Sequence, residues 1–558
     1  MKKLYFLALS IFASASLMAT QVQVEAGDNL QAAVNVANSG DTVLVQAGTY
    51  EGNFTMKDGV YVSGGWNEDF TAQTKHASIL DAKANGRVLN QPANFETLTI
   101  WDNFTIQNGK LTAFVDEWGP GVALHKNGRI INCLVQNNTF TYTGKNCAGG
   151  GVCYNIDDKE VISNNPDTCA INCLIKNNKA SHGGGVRLRN AIIIDCIVEN
   201  NTATANGGGV YLWATAEVHN SIISRNTALL VGGLDLGSKG CAIYNCLVTE
   251  NTATDIVGGV QVRNGGSVVN CSIIKNNHEN SVQNRTEAES WCGARFSNGT
   301  ASTYAGKLCV NNVIWGNTVK GEVQVIQANS HIQHYEICKN NALSDTTKLS
   351  KAYFALNADN NAANGPQFID STYAFAWTSP LYNAGSNEAL TYLVGDKDVY
   401  GNARKQGENI DLGAVEHTVH TLTVAAVENG TLALKVLEQT MPLEAKAYEV
   451  PAGFTATILA TPAEKYALQS ILLNGSVLAA VEDVYTLPAV QSDVTLGATF
   501  VTESDPDNPT NVENVLSTSQ VVAVYDLLGH QVNATPANLT SGLYIVVTTQ
   551  GTHKISIK

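Results

Sequence analysis

Eight side chains recur at matching places in a repeated phrase, and together they could hold one ligand. They are Arg187, Arg189, Tyr211, Trp213, Asp235, Gln261, Arg263 and Arg295. Each comes from a copy of a short motif, Gly-Gly followed by an apolar–variable–apolar triplet. The copies are Gly150-Gly151-Val152-Cys153-Tyr154, Gly184-Gly185-Val186-Arg187-Leu188, Gly208-Gly209-Val210-Tyr211-Leu212, Gly232-Gly233-Leu234-Asp235-Leu236 and Gly258-Gly259-Val260-Gln261-Val262, with a worn copy at Gly293-Ala294-Arg295-Phe296. An apolar pair around a variable residue is strand patterning, so the variable residue projects to the opposite face from its neighbours. One column then reads Cys153, Arg187, Tyr211, Asp235, Gln261, Arg295, and the column two residues on reads Asn155, Arg189, Trp213, Gly237, Arg263, Ser297. Arginine forks bind carboxylates bidentately, and aromatic rings suit the CH-rich face of a sugar. The chemistry expected of this patch is recognition of a uronic-acid-containing glycan. The plainer alternative is a polar, solvated face.

Reactive constellations are sparser. Hydrolysis of a glycosidic bond calls for carboxylates about 5–9.5 Å apart. Asp235 stands alone in the columns, and Asp195 falls on another face. β-Elimination calls for an Arg or Lys base, which Arg187, Arg189 or Arg263 would offer, beside acids that hold calcium. Those acids are too few. The chain has no Gly-x-Ser-x-Gly element and no CxxC pair, and His331 and His334 fall on opposite faces of a strand. No cofactor is therefore expected, with calcium called for only by the elimination alternative.

A second phrase alternates with the first and defines the elements that position these residues. It reads Cys133-Leu-Val-Gln-Asn-Asn138, Cys173-Leu-Ile-Lys-Asn-Asn178, Cys196-Ile-Val-Glu-Asn-Asn201, Ser221-Ile-Ile-Ser-Arg-Asn226, Cys246-Leu-Val-Thr-Glu-Asn251 and Ser272-Ile-Ile-Lys-Asn-Asn277, with looser copies from Phe104 and Asn312. The steps between first residues are 29, 40, 23, 25, 25, 26 and 40. A period near 25 with insertions marks a stacked architecture whose single units cannot bury their own apolar faces. Glycines ahead of a strand suit corners with φ > 0, and Asn tolerates the same region. The expected fold is all-β: a right-handed parallel β-helix followed by small β-sandwich-like domains. On this alignment Cys133, Cys173, Cys196, Ser221, Cys246 and Ser272 form one inward column. It is expected as a packed thiol ladder, the alternative being disulfides. Cys292 and Cys309 are free to pair.

The repeats resemble the right-handed β-helix proteins of the pectin-lyase-like superfamily and the Gly-Gly and Asn-rich repeats of polymorphic outer-membrane proteins. The segments Gly27-Asp28-Asn29-Leu30-Gln31-Ala32-Ala33, Gly40-Asp41-Thr42-Val43-Leu44-Val45 and Ala47-Gly48-Thr49-Tyr50 are similar to the superfamily's N-terminal cap. Gly365-Pro366-Gln367-Phe368-Ile369-Asp370, Ser379-Pro380-Leu381-Tyr382-Asn383-Ala384-Gly385 and Asp411-Leu412-Gly413-Ala414-Val415-Glu416 are similar to its closing segment. The resemblance covers residues 21–417 and implies the fold. It leaves function open, because one architecture hosts lyases, hydrolases and adhesins. The Asp-Asp, Asn-Thr-Asp and Gly-His-Gly motifs of β-helix polygalacturonases are absent, and His182-Gly183-Gly184 echoes only the last of them.

The termini concern location. Lys2 and Lys3 precede an apolar run, Leu4 to Ile11, and then small residues, which reads as a signal peptide over residues 1–19. No later stretch is long and apolar enough for a membrane span. A net charge of −15 speaks against a nucleic-acid partner. After the β-helix, residues 419–500 read as a small β-repeat domain and 501–513 as an acidic linker. In residues 514–558, Val524-Tyr525-Asp526-Leu527-Leu528-Gly529, Gly542-Leu543-Tyr544-Ile545-Val546-Val547 and Lys554-Ile555-Ser556-Ile557-Lys558 resemble the C-terminal sorting domain of Bacteroidetes type IX secretion cargo. That family's upstream Pro-Asn-Pro strand is missing, unless Asp507-Asn508-Pro509 replaces it. The resemblance implies export to the cell surface and the outer-membrane export machinery as a partner. The expected function is a surface protein that binds glycans or host surfaces without catalysis. The alternatives are a polysaccharide lyase or glycoside hydrolase, and a structural adhesin stalk.

Overall fold

A computed structural model describes residues 19–113, 119–141, 148–155, 167–281, 292–297, 307–323, 337–339, 341–343, 354–357, 365–436, 439–502, 521–533, 538–549 and 551–557. Residues 1–18 of the segment expected as a signal peptide, His331, His334 and Asp507 to Pro509 lie outside the described residues. The chain forms two compact units, Met1–Val419 and His420–Lys558.

The first unit is a right-handed parallel β-helix. Its coils stack into two 12-stranded and two 9-stranded sheets, and strand pairing in them is parallel throughout except for one terminal hairpin at Thr318 to Val323. One coil shows the plan. Ala191–Ile194 lies in the first sheet, Ile197–Glu199 in the second, Thr202–Asn206 in the third and Val210–Trp213 in the fourth. The chain then re-enters the first sheet at Glu217–His219. Two corners of each coil sit in the left-handed region. The first is filled by Asn103, Asn132, Asn172, Asp195, Asn220, Asn245, Asn270 and Asn311. The second is filled by Asn137, Asn177 and Asn200, and then by Arg225, Glu250 and Lys275 at φ of 54°, 57° and 53°. At this second corner an L-residue other than Asn is tolerated because the coils on both sides hold it there.

The residue after that second corner carries the stack. Asn138, Asn178, Asn201, Asn226, Asn251 and Asn276 are all buried. Each turns its Oδ1 toward the coil before it. Asn226 Oδ1 accepts both the backbone N–H of Asn201, at 2.9 Å, and its Nδ2, at 3.0 Å. Asn226 Nδ2 in turn donates to Val198 O at 2.9 Å and to Asn251 Oδ1 at 2.9 Å. The same set repeats from Asn138 to Asn317. A primary amide with two donors and one oxygen is satisfied in full by this arrangement.

The Gly-Gly pairs complete it, for a reason other than the one expected. Gly208 and Gly209 have ordinary φ, and the left-handed residue is Gly207 at 63°. A Cβ on Gly209 would lie 2.8 Å from Asn226 Nδ2 and 2.7 Å from the Ile223 side chain. A Cβ on Gly208 would lie 2.4 Å from Gly232 O. Gly151, Gly185 and Gly233 meet Asn178, Asn201 and Asn251 in the same way. Glycine is required here by close approach to the amide column.

Register corrects one expectation. Ser272 pairs with Leu247, so it is Cys271 that continues the column of Cys133, Cys173, Cys196, Ser221 and Cys246. Ser272 faces away from the core, where its Oγ accepts the backbone N–H of Ala414 at 2.9 Å. With Cys271 in place the steps become 25, 25 and 41, and Asn312 joins the column through its pairing beside Val313. Cys133, Cys173, Cys196, Cys246 and Cys271 are buried thiols. Cys292 and Cys309, each left open to a disulfide by the sequence, are both thiols as well.

The ends and flank are covered separately. A helix, Leu30–Val36, begins at Asn29, whose side chain accepts the N–H of Ala32, and it buries Leu30 and Val34 on the first coils. Residues 365–417 run along the outside of the coils. The first-corner asparagines hold this segment: Asn220 donates to Val394 O, Asn245 to Lys397 O and Asn311 to Ser386 O, at 2.9–3.1 Å. Tyr373, Phe375, Leu381, Leu412 and Ala414 cover Leu247, Ile274 and Val313. Within the segment, buried Arg404 pairs with Glu416 at 3.0 Å and donates to the carbonyls of Asp411 and Gly413. In the second unit, residues 420–502 form a five-stranded and a four-stranded sheet, and Val521–Asp526, Gly542–Thr548 and Gly551–Ile557 form a three-stranded antiparallel one.

Removing one rung of the amide column should be costly. Asn226→Ala strips partners from Val198 O, Asn201 N and Asn251 Oδ1, so chemical denaturation should show a loss of about 3 kcal/mol or more. Arg225→Ala, one residue earlier and exposed on its ion pair with Glu199, should cost under about 1 kcal/mol. Equal losses for the two would contradict the column's role.

Candidate functional site

The fourth sheet brings all eight expected residues together. Arg187 pairs in register with Tyr211, Tyr211 with Asp235, Asp235 with Gln261 and Gln261 with Arg295. Arg189 pairs with Trp213, and Arg263 occupies the same column two coils on. The core side of these strands is Val186, Leu188, Val210, Leu212, Leu234, Leu236, Val260 and Val262, all buried. The order of both columns is as read from the repeat.

Their exposure differs from that reading. Cys153, Arg187, Asp235 and Gln261 project away from the core yet are buried, Asp235 at 0%. The face is therefore no open polar surface, and its floor is desolvated. Arg189, Tyr211, Arg263 and Arg295 are half-buried, and Trp213 is exposed, at 39%. Its ring lies over the next coil at Gly237, where a Cβ would come within 2.6 Å of the indole. Tyr211 stacks beside it, with centroids 6.3 Å apart and planes at 29°.

Polar contacts fix the floor. Arg263 holds Asp235 through both arms of its fork, Nε to Oδ1 at 3.0 Å and Nη2 to Oδ2 at 2.5 Å, and Nη2 also donates to Asn206 Oδ1 at 3.0 Å. Arg187 Nη1 donates to Asn155 Oδ1 at 3.1 Å. Burial pushes the Asp235 carboxyl up to about 6, against the opposing pull of Arg263 and Arg295. Burial also lowers the pKa of Arg187, beside Cys153 and Arg189. Tyr211 is raised by burial and then by the Asp235 charge.

Two contributors come from the third sheet. His182 and Asn206 end the strands Lys179–His182 and Thr202–Asn206 and pair with each other. Asn206 reaches Arg263, and the His182 ring lies 5.3 Å from Tyr211. The signal for both was available, because each immediately precedes the left-handed corner glycine, Gly183 or Gly207. Calcium finds one carboxylate here, Asp235, which Arg263 already grips. Among the described residues no group of three or more His, Cys, Asp or Glu is placed to hold a metal ion. Likewise no helix among them is long and apolar enough to cross a membrane.

The class of protein defined by this register is a right-handed parallel β-helix. No protein-family model matches the chain, and no curated protein matches it. Among solved structures it is similar to pectate lyase Pel9A, at 16% identity and a TM-score of 0.38, over 72% of this chain and 97% of that one. It is also similar to a mannuronic acid specific polysaccharide family 6 lyase from human gut microbiota, at 10% identity and a TM-score of 0.24, over 60% of this chain and 89% of that one. The assignment of fold rests on strand register and not on these likenesses.

Asp235 supplies a test of the floor. A folded-state pKa of about 6 lies above the ordinary 3.8, so the group favours folding most below about pH 4 and loses that contribution as pH rises through 6. Asp235→Asn cannot ionise. The melting temperature of wild type relative to this variant should therefore fall between about pH 4 and about pH 7. A difference that grows across that window would contradict a desolvated carboxyl.

Proposed function

We propose that the fourth-sheet face binds an acidic polysaccharide, and that the protein is exported to present this face at the cell surface. The observation that carries the reading is the aromatic shelf. Trp213 is exposed, seated on Gly237 and stacked with Tyr211, while Arg189 and Arg187 lie directly across from them on the preceding coil. An exposed indole on a rigid strand costs solvation free energy, which a sugar ring recovers by covering it. Half-buried Arg189, on the preceding coil, lies about 4.8 Å away, within reach of a uronate carboxylate on the same ring.

Long-range electrostatics oppose this ligand, since the chain carries a net charge of −15. Binding must therefore come from short-range contacts, and moderate salt, with a Debye length of about 8 Å at 0.15 M, should help it by screening the repulsion.

A second reading, β-elimination on the same face, is favoured by Arg187. Its guanidinium is buried and lowered in pKa, the direction that makes it a better proton acceptor.

One experiment addresses both. Polygalacturonate is titrated into the full chain and the mixture is followed for the ultraviolet absorbance of unsaturated uronide. Binding without absorbance is the outcome expected, and Trp213→Ala should weaken it by about 1–3 kcal/mol. Unchanged affinity in Trp213→Ala would remove the shelf from the site. Accumulating absorbance that Arg187→Lys abolishes would replace binding by elimination.

A further inference from the structure

His182 belongs to the neighbouring sheet, yet its ring reaches Tyr211 on the face just described. The left-handed turn at Gly183 redirects the chain immediately after it, and a Cβ on Gly183 would lie 2.2 Å from Val186 O. The backbone at this point is therefore tightly determined. The ring is held on one side by Ser181, whose Oγ lies 3.0 Å from Nδ1. That contact uses one ring nitrogen, and Nε2 takes no hydrogen bond among the described residues. Asn206, the in-register successor of His182, already spends its side chain on Arg263. The same strand position thus serves the face in two consecutive coils.

We propose that His182 is a specificity-determining residue of this face: its Nε2 contacts the bound polymer, and its protonation selects for a polymer that carries carboxylates. The proposal rests on the reading of the face as a glycan site. In the free protein burial, and then the charges of Arg263 and Arg187, lower the pKa of His182. The groups that face it are Arg187, Arg263, Tyr211, Ser181 and, across Tyr211, Asp235. A neutral imidazole hydrogen-bonds a sugar hydroxyl. A carboxylate brought close to it restores its proton affinity, so by linkage a falling pH tightens the acidic ligand alone. Asp235 titrates in the same range, so the test must separate the two groups.

The test uses the full chain with two probes, polygalacturonate and the same polymer fully methyl-esterified, each titrated at about pH 7.5 and about pH 5.5. Wild type should bind polygalacturonate several-fold more tightly at the lower pH and the ester equally at both. His182→Gln keeps a neutral hydrogen-bonding group, so it should retain affinity near neutrality and lose the rise. His182→Ala should lose about fivefold for both probes at about pH 7.5 and for the ester at about pH 5.5, and more than that for polygalacturonate at the lower pH, where the rise is lost as well. A rise that survives unchanged in His182→Gln places the titration on Asp235 and overturns the proposal, as does full affinity in His182→Ala. Failure of wild type to bind either probe instead overturns the glycan reading itself.

Discussion

One buried amide per coil organises this molecule. The asparagine column runs through seven consecutive coils, from Asn138 to Asn317, and each member after the first satisfies its own side chain, the backbone N–H of the asparagine before it and a carbonyl of an earlier strand. A buried amide left unsatisfied would be expensive, so a coil that slipped by one residue would forfeit several bonds at once. The glycine pairs follow from the same constraint, because the amide column leaves no space for a Cβ opposite it. The two repeated phrases are therefore one device: asparagine specifies where coils meet, and glycine lets them approach.

Register fixed in this way reaches the surface. Because Val186, Val210, Leu234 and Val260 are aligned in the core, the residues between them align on the other face, and side chains many residues apart in sequence become neighbours. Arg263 reaches back to Asp235 on the preceding coil and to Asn206 on the one before that. Trp213 lies flat because the next coil offers Gly237. A loop site would need its own supports to achieve this geometry, whereas here the stack supplies them.

Much of this was legible in the repeat, and the exceptions have physical causes. Period, strand pattern and column order could be read because side-chain direction alternates strictly along a strand. The slip at Ser272 arose from treating both asparagines of the phrase as equivalent. Only the residue after the left-handed corner carries the column, as Arg225-Asn226 and Glu250-Asn251 show, so in Lys275-Asn276-Asn277 it is Asn276, and the step of 26 in an otherwise 25-residue run marked the fault. Burial of Arg187 and Asp235 was not legible, since it depends on neighbouring coils and not on strand alternation. His182 was missed because it enters from a different sheet. Residues 365–417 read as a closing segment, but their placement along the flank depends on the first-corner asparagines, whose outward amides meet its carbonyls.

The central claim is that register on the fourth sheet creates the ligand face. Hydrogen–deuterium exchange on the full chain, with and without polygalacturonate, tests it most directly. Slowed exchange should concentrate in Val186–Arg189, Val210–Trp213 and Leu234–Leu236, with the outer faces of the first and second sheets unchanged. Protection confined to those other sheets, or to the unit after Val419, would contradict the account.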